Sequence, residues 1–119
     1  MSESLQPPFV IVEGDDVTLF GTLAELLGWV EAVDVRDHAY DCFDGSGRRV
    51  LLAAASDRAR VTVDGVRSAD NQLRDRLVAI ADRNPDAYGI VPERAGLGDV
   101  LRGWWDRSHA GVPFPRDIG

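Results

Sequence analysis

Residues 40–52 read YDCFDGSGRRVLL, and whether they form a strand–turn–strand unit or a ligand-holding loop decides the rest of the fold. Tyr40, Cys42 and Asp44 alternate with Asp41 and Phe43, so as a strand they would face opposite sides of a sheet. Gly45-Ser46-Gly47 supplies the positive φ values that a tight hairpin turn requires. Arg48–Ala55 (RRVLLAAA) is apolar enough for a central strand. As a phosphate cradle the loop lacks both G-x-x-x-x-G-K-[ST] and G-x-G-x-x-G, and no helix start follows the glycines. As a calcium loop it lacks the D-x-[DN]-x-[DN]-G spacing and the distal Glu. Ser46 is not a G-x-S-x-G nucleophile, because its glycines are adjacent rather than two residues away. The stretch is read as a hairpin.

Working outward, FVIVE (Phe9–Glu13) and VTLF (Val17–Phe20), separated by Gly14-Asp15-Asp16, predict a first hairpin. Thr22 with Glu25 three residues on is a capping box. Leu23, Leu26, Leu27 and Val30 then form one apolar stripe, in a helix that should fade near Val33. Arg60–Val63 alternates and is expected to pair with Arg48–Ala55. A second helix starts near Asp70 as N-cap, carries Leu73, Leu77 and Ile80 on its stripe, and stops at Pro85. Residues 84–96 read as a loop with a short strand at Tyr88–Val91. A third helix, Leu97–Arg107, places Leu97, Val100, Leu101 and Trp104 on one side. The tail from residue 111 should be extended or loosely docked. The order β-β-α-β-β-β-α-α predicts a single α+β domain over residues 1–119. Its antiparallel sheet would have about four to five strands, packed on one face by two to three helices.

The 119 residues, with 45% hydrophobic and 28% charged side chains, suit one globular core. No stretch approaches the ~20 apolar residues of a membrane span. The N-terminus MSESLQPPFVIVEG lacks the charged and apolar regions of a signal peptide, so a cytoplasmic protein is the simplest expectation. All 13 basic residues are Arg, which excludes lysine chemistry such as Schiff bases; the Ala, Asp, Gly and Val content points to a GC-rich genome as its origin. Charge is uneven: residues 1–44 hold ten acids against Arg36, a net −9, within a total of −7. Such a front half repels nucleic-acid phosphates and anionic membranes and attracts a basic partner.

Candidate chemistry is thin. Cys42 is the only cysteine, which excludes an internal disulfide and a cysteine-rich metal site. His38 lies beside Asp37 and Asp41, but two histidines without Glu or Cys at ligand spacing make a poor metal site. On a strand, His38 and Cys42 would lie ~13 Å apart, too far for proton transfer; Cys42 reads as a small core residue. No catalytic residue, metal site or cofactor is expected. An enzyme would have to use His38 with its neighbouring aspartates. Asp34, Asp37, Asp41 and Asp44 read as an exposed acidic run, joined by Glu25 and Glu31 on the outer side of the first helix. At the C-terminal end, only one of Trp104 and Trp105 can join the helical stripe. Trp105 should therefore be half-exposed and, next to Arg107, a binding hot spot; Trp29 on the flank of the first helix fits the same description.

The segment Val17–Asp82, with LFGTLAELLGWVEAVDV, then YDCFDGSGRRVLL, then a charged amphipathic helix, resembles small acidic proteins of GC-rich bacteria. Many of these look like immunity proteins of polymorphic toxin systems. The resemblance rests on an acidic helix, an aromatic-Asp strand, a glycine hairpin and an Arg start to the next strand, and it hands over no active-site residues. It implies a single cytoplasmic domain, a monomer or weak dimer, that binds and blocks a basic toxin domain such as a nuclease. Glu25, Glu31, Asp34, Asp37, Asp41, Asp44 and Trp105 are the expected contact residues. The competing reading is a small-molecule or peptide carrier with an apolar pocket near Trp104.

Overall fold

The two β-rich runs flanking Gly14 pair as expected. β1 (Phe9–Glu13) and β2 (Asp16–Phe20) are antiparallel, in a register from Phe9↔Phe20 to Glu13↔Asp16, and Gly14 turns the chain with φ +62°. The computed structural model describes residues 5–30, 40–54, 61–68, 72–89, 91–92 and 94–115, apart from the side chains of residues 54 and 64. The opening stretch forms β3 (Asp41–Phe43) and β4 (Arg49–Ala54), antiparallel across Gly45-Ser46-Gly47. β5 (Val61–Arg67) extends further than the sequence suggested. Between Leu51 and Leu52 the register slips, Leu51 facing Gly65 and Leu52 facing Val63. The extra residue is a β-bulge, which re-aims the strand so that Val61, Val63 and Val66 share one face.

The sheet order is β2-β1-β3-β4-β5, antiparallel throughout. Alternation along β1 then builds two cores. Val10 and Val12 point to one face, with Leu19 and Phe43; Phe9 and Ile11 point to the other, with Phe20, Cys42 and Val50.

The first of these faces is covered by three helices. α2 (Gln72–Arg83) contributes the buried Leu73, Leu77, Ile80 and Ala81. α4 (Leu97–Ser108) contributes Val100, Leu101, Trp104 and Trp105. Between them, where a loop and a strand were expected, residues Pro85–Tyr88 form the short helix α3. Pro85 does end α2, yet it occupies the first turn of α3, where a missing N–H costs nothing and a fixed φ helps. The opposite face carries α1 (Leu23–Trp29). The Thr22 hydroxyl accepts from the Glu25 N–H at 3.1 Å, the forward half of the expected capping box. Leu26 and Val30 are buried against the sheet. Helical geometry stops at Trp29, short of the expected Val33, because Val30 is extended at φ −73°, ψ 146°.

The tail is not loose over its described part. Phe114 packs on the helical core, and the Trp105 Nε1–H donates to the Val112 carbonyl at 3.0 Å. Both adjacent tryptophans of α4 are therefore buried, at 6% and 3% exposure, and the expectation of a half-exposed Trp105 is overturned. Trp104 points into the helix layer, and the returning tail roofs the neighbouring face where Trp105 lies.

Candidate binding surfaces

The six acids singled out from sequence do not form one surface. Glu31, Asp34 and Asp37, like His38, lie outside the described residues. Asp44, expected to be exposed, is fully buried. Its Oδ1 accepts from the Ser46 N–H, the Ser46 hydroxyl and the Arg48 N–H. Its Oδ2 accepts from the Gln6 N–H and from Nε and Nη2 of Arg48, the last at 2.8 Å. The burial arises because the N-terminal segment docks on the turn. The Gly45 N–H donates to the Gln6 carbonyl, and a Cβ at Gly45 would sit 2.3 Å from the Pro7 oxygen. Only glycine admits that approach.

Asp41 lies on the helical side of the sheet and bridges Arg49 of β4 and Arg76 of α2. Its charge is matched within the fold and fastens helix to sheet. Asp15, at the tip of the first hairpin, does the same for the other end of α2. It accepts from Arg83 and Asn84, while its carbonyl takes the Tyr88 hydroxyl at 2.8 Å. The Arg83 hydrogen bonds, followed by that of Asn84, hold the Asp15 carboxyl below the ordinary value of 3.8.

Glu25 alone among the described members of the set is an exposed acid free of such duties, and its surroundings are informative. Four residues on along α1, hence on the same side of the helix, stands Trp29, 46% exposed. The Trp29 ring packs against Phe20 and Tyr40, with each centroid 5.6 Å away. The result is a half-exposed indole one helical turn from an exposed carboxylate. Trp29 lies outside the contact set expected from sequence; its i, i+4 spacing from Glu25 is the signal that joins the two.

Trp105, the remaining member, is an interior residue. It stacks on His109 at 3.8 Å and meets the edge of Phe114, so it presents no interface. Cys42, 2% exposed, is held as a neutral thiol: burial, and then the Asp44 charge, push its pKa up to about 12. At the end of α4 the Ser108 hydroxyl lies 2.7 Å from His109 Nδ1, but it also bonds back to the Trp104 carbonyl at 2.9 Å. Among the described residues no three His, Cys, Asp or Glu side chains converge as metal ligands would, and no helix is long and apolar enough to cross a membrane.

A second surface is concave. Between α4 and the segments 88–89, 91–92 and 94–95 runs a cleft of about 560 Å³ whose apolar lining includes Tyr88, Val91, Pro92, Ala95, Val100 and Trp104. Tyr88 and Trp104 stack at 4.5 Å, and behind them lies a smaller hollow of about 230 Å³ that shares the Arg107 side chain. The outer wall is anchored by Arg74, whose Nε donates to the Ala95 carbonyl at 3.1 Å. The sequence expectation of an apolar pocket near Trp104 thus has a counterpart in the fold.

No protein-family model matches the chain, and neither a curated protein nor a solved structure matches it.

Proposed function

We propose that this protein is a non-catalytic binding protein of the immunity type, a cytoplasmic monomer or weak dimer that blocks a cationic partner such as a nuclease toxin domain. The observation that supports this reading is the exposed Glu25–Trp29 pair on α1, in the half of the chain with a net −9. An arginine or lysine of the partner can lie over the indole face while its head bonds the carboxylate, combining a cation–π contact with a charge-assisted hydrogen bond. The wider negative field would steer a basic domain toward the site and raise its association rate at low salt. Asp41 and Asp44 are not part of this surface, since both are neutralised within the fold.

The test compares capture from native lysate by the tagged protein and by its Glu25→Arg and Trp29→Ala variants, at low and moderate salt. The expected result is one stoichiometric basic protein, held by the wild type at low salt, weakened by rising salt, and lost with either variant. Losses at an interface hot spot of this kind are about 2 kcal/mol or more, roughly thirtyfold in affinity. A partner retained equally by both variants, or an empty lane, would sink the proposal.

A further inference from the structure

We propose that the cleft between α4 and the segments 88–89, 91–92 and 94–95 binds a small organic anion, a flat apolar body carrying a carboxylate, sulfonate or phosphate group. This site is independent of the α1 surface. Its volume of about 560 Å³ lies in the range of roughly 300–1,000 Å³ that small-molecule sites occupy. One wall is stiff. Trp104 is backed by the stacked Tyr88 ring, and the Tyr88 hydroxyl is pinned by donating to the Asp15 carbonyl while accepting from the Val17 N–H. A planar ligand would meet a preformed aromatic surface and would not have to order it, which lowers the entropic cost of binding.

Charge selects the ligand class. Arg48, Arg49, Arg74, Arg76 and Arg83 are all ion-paired with aspartates. The two arginines of the cleft, Arg94 and Arg107, have no carboxylate partner among the described residues. Arg107 instead reaches the Asp86 and Ala87 carbonyls by long bonds of 3.5 and 3.3 Å. Its guanidinium lies across Gly89, where φ is +78° and a Cβ would stand 3.1 Å from Nη1. The one acid among the described lining residues, Asp99, faces back to the Gly96 N–H at 3.3 Å. In a chain of net charge −7, this is a local cationic hollow with an apolar floor. A guanidinium offers planar, forked donors that match a carboxylate or phosphate.

Gly103 makes the test clean. It lines the cleft on the helix side, and a Cβ there would touch nothing within 4 Å. A larger residue at this position enters the cleft without disturbing the core and also favours the helix. The probe is 8-anilinonaphthalene-1-sulfonate, set against N-phenyl-1-naphthylamine, the same rings without the anion, with binding read by fluorescence titration. The expected result is saturable 1:1 binding of the sulfonate, about tenfold tighter than that of the neutral analogue. Arg94→Gln and Arg107→Gln should each weaken the sulfonate several-fold and leave the neutral probe unchanged. Gly103→Leu should abolish both while the melting temperature holds or rises. Trp29→Ala and Glu25→Arg should change neither, so failure at the α1 surface and failure here are read separately. Absence of saturable sulfonate binding, equal affinity for the two probes, or indifference to Arg94→Gln or Gly103→Leu would each overturn the assignment.

Discussion

Replacing Asp44 with asparagine removes one charge and almost no volume, yet the fold should suffer nearly as much as from alanine. Each carboxylate oxygen faces three donors: Oδ1 the Ser46 N–H, Ser46 hydroxyl and Arg48 N–H, Oδ2 the Gln6 N–H and two guanidinium N–H groups. An asparagine has one oxygen and one NH2, so either orientation sets an NH2 donor against three others. A buried donor left without an acceptor costs about 1–3 kcal/mol, and breaking a buried charge pair about 3–5 kcal/mol. The Arg48 side chain is 22% exposed, so its guanidinium can turn to water, which places the expected loss near the lower end. We expect about 3 kcal/mol for Asp44→Asn and Asp44→Ala alike, against a total of roughly 5–15 kcal/mol for a domain. Arg48→Ala leaves four of the six donors in place but takes the counter-charge from a fully buried carboxylate, and should also cost about 3 kcal/mol. Urea denaturation followed by tryptophan fluorescence measures all three. An asparagine variant within about 0.5 kcal/mol of wild type would show that the carboxylate is hydrated and that the six-donor cradle does not hold the turn.

Three further predictions test neighbouring parts of the fold. Gly45→Ala should lower stability by about 2 kcal/mol or more, since overpacking alone costs about 1–3 and the new methyl would also push the Pro7 backbone away; an unchanged urea midpoint would mean the N-terminal segment does not sit on the turn. The Asp15 carboxyl has a folded pKa below its ordinary 3.8, so its stabilising contribution is present above that value and is lost as pH falls through the depressed one. The melting-temperature gap between wild type and Asp15→Asn should accordingly be open at neutral pH and narrow as the pH is taken below the ordinary 3.8, and a gap constant with pH would refute the Asp15–Arg83 contact in solution. Cys42, with its thiol pushed up to about 12, should resist a disulfide reagent at neutral pH and react promptly in denaturant; rapid labelling of the native protein would place it outside the core.

Much of the architecture is legible in the chain because its cues are local. The Gly14 and Gly45-Ser46-Gly47 turns set two hairpins, the 3.6-residue stripes of α1, α2 and α4 name the buried leucines, and Thr22 caps the helix it precedes. What escapes local reading depends on residues brought from a distance. Asp44 looks like a surface turn acid because nothing in DGSG announces that Gln6, 38 positions earlier, will close over it. Trp105 looks exposed because the stripe leaves room for one tryptophan, and the tail that roofs it lies beyond the helix. Pro85 signals the end of α2 in the sequence, while its second role, opening α3, shows only in the fold. The acidic half of the sequence reports a sum of charges; only the fold shows that Asp15 and Asp41 lie against arginines of α2 and that Glu25 stands one helical turn from a half-exposed indole.

The seam between β1 and β3 also has a kinetic meaning. Every other strand pair joins neighbours in sequence, whereas Val10↔Phe43, Ile11↔Cys42 and Val12↔Asp41 require the chain to close a loop of about thirty residues before any contact repays the lost entropy. The two hairpins can zip early and independently, so closing the seam is the slow event that turns them into one sheet. The Gln6–Asp44 clasp lies at the end of the same seam and shuts the same loop. Weakening Ile11 or Val10 should then slow refolding in a chevron experiment, while weakening the far end of β4 and β5 should chiefly hasten unfolding.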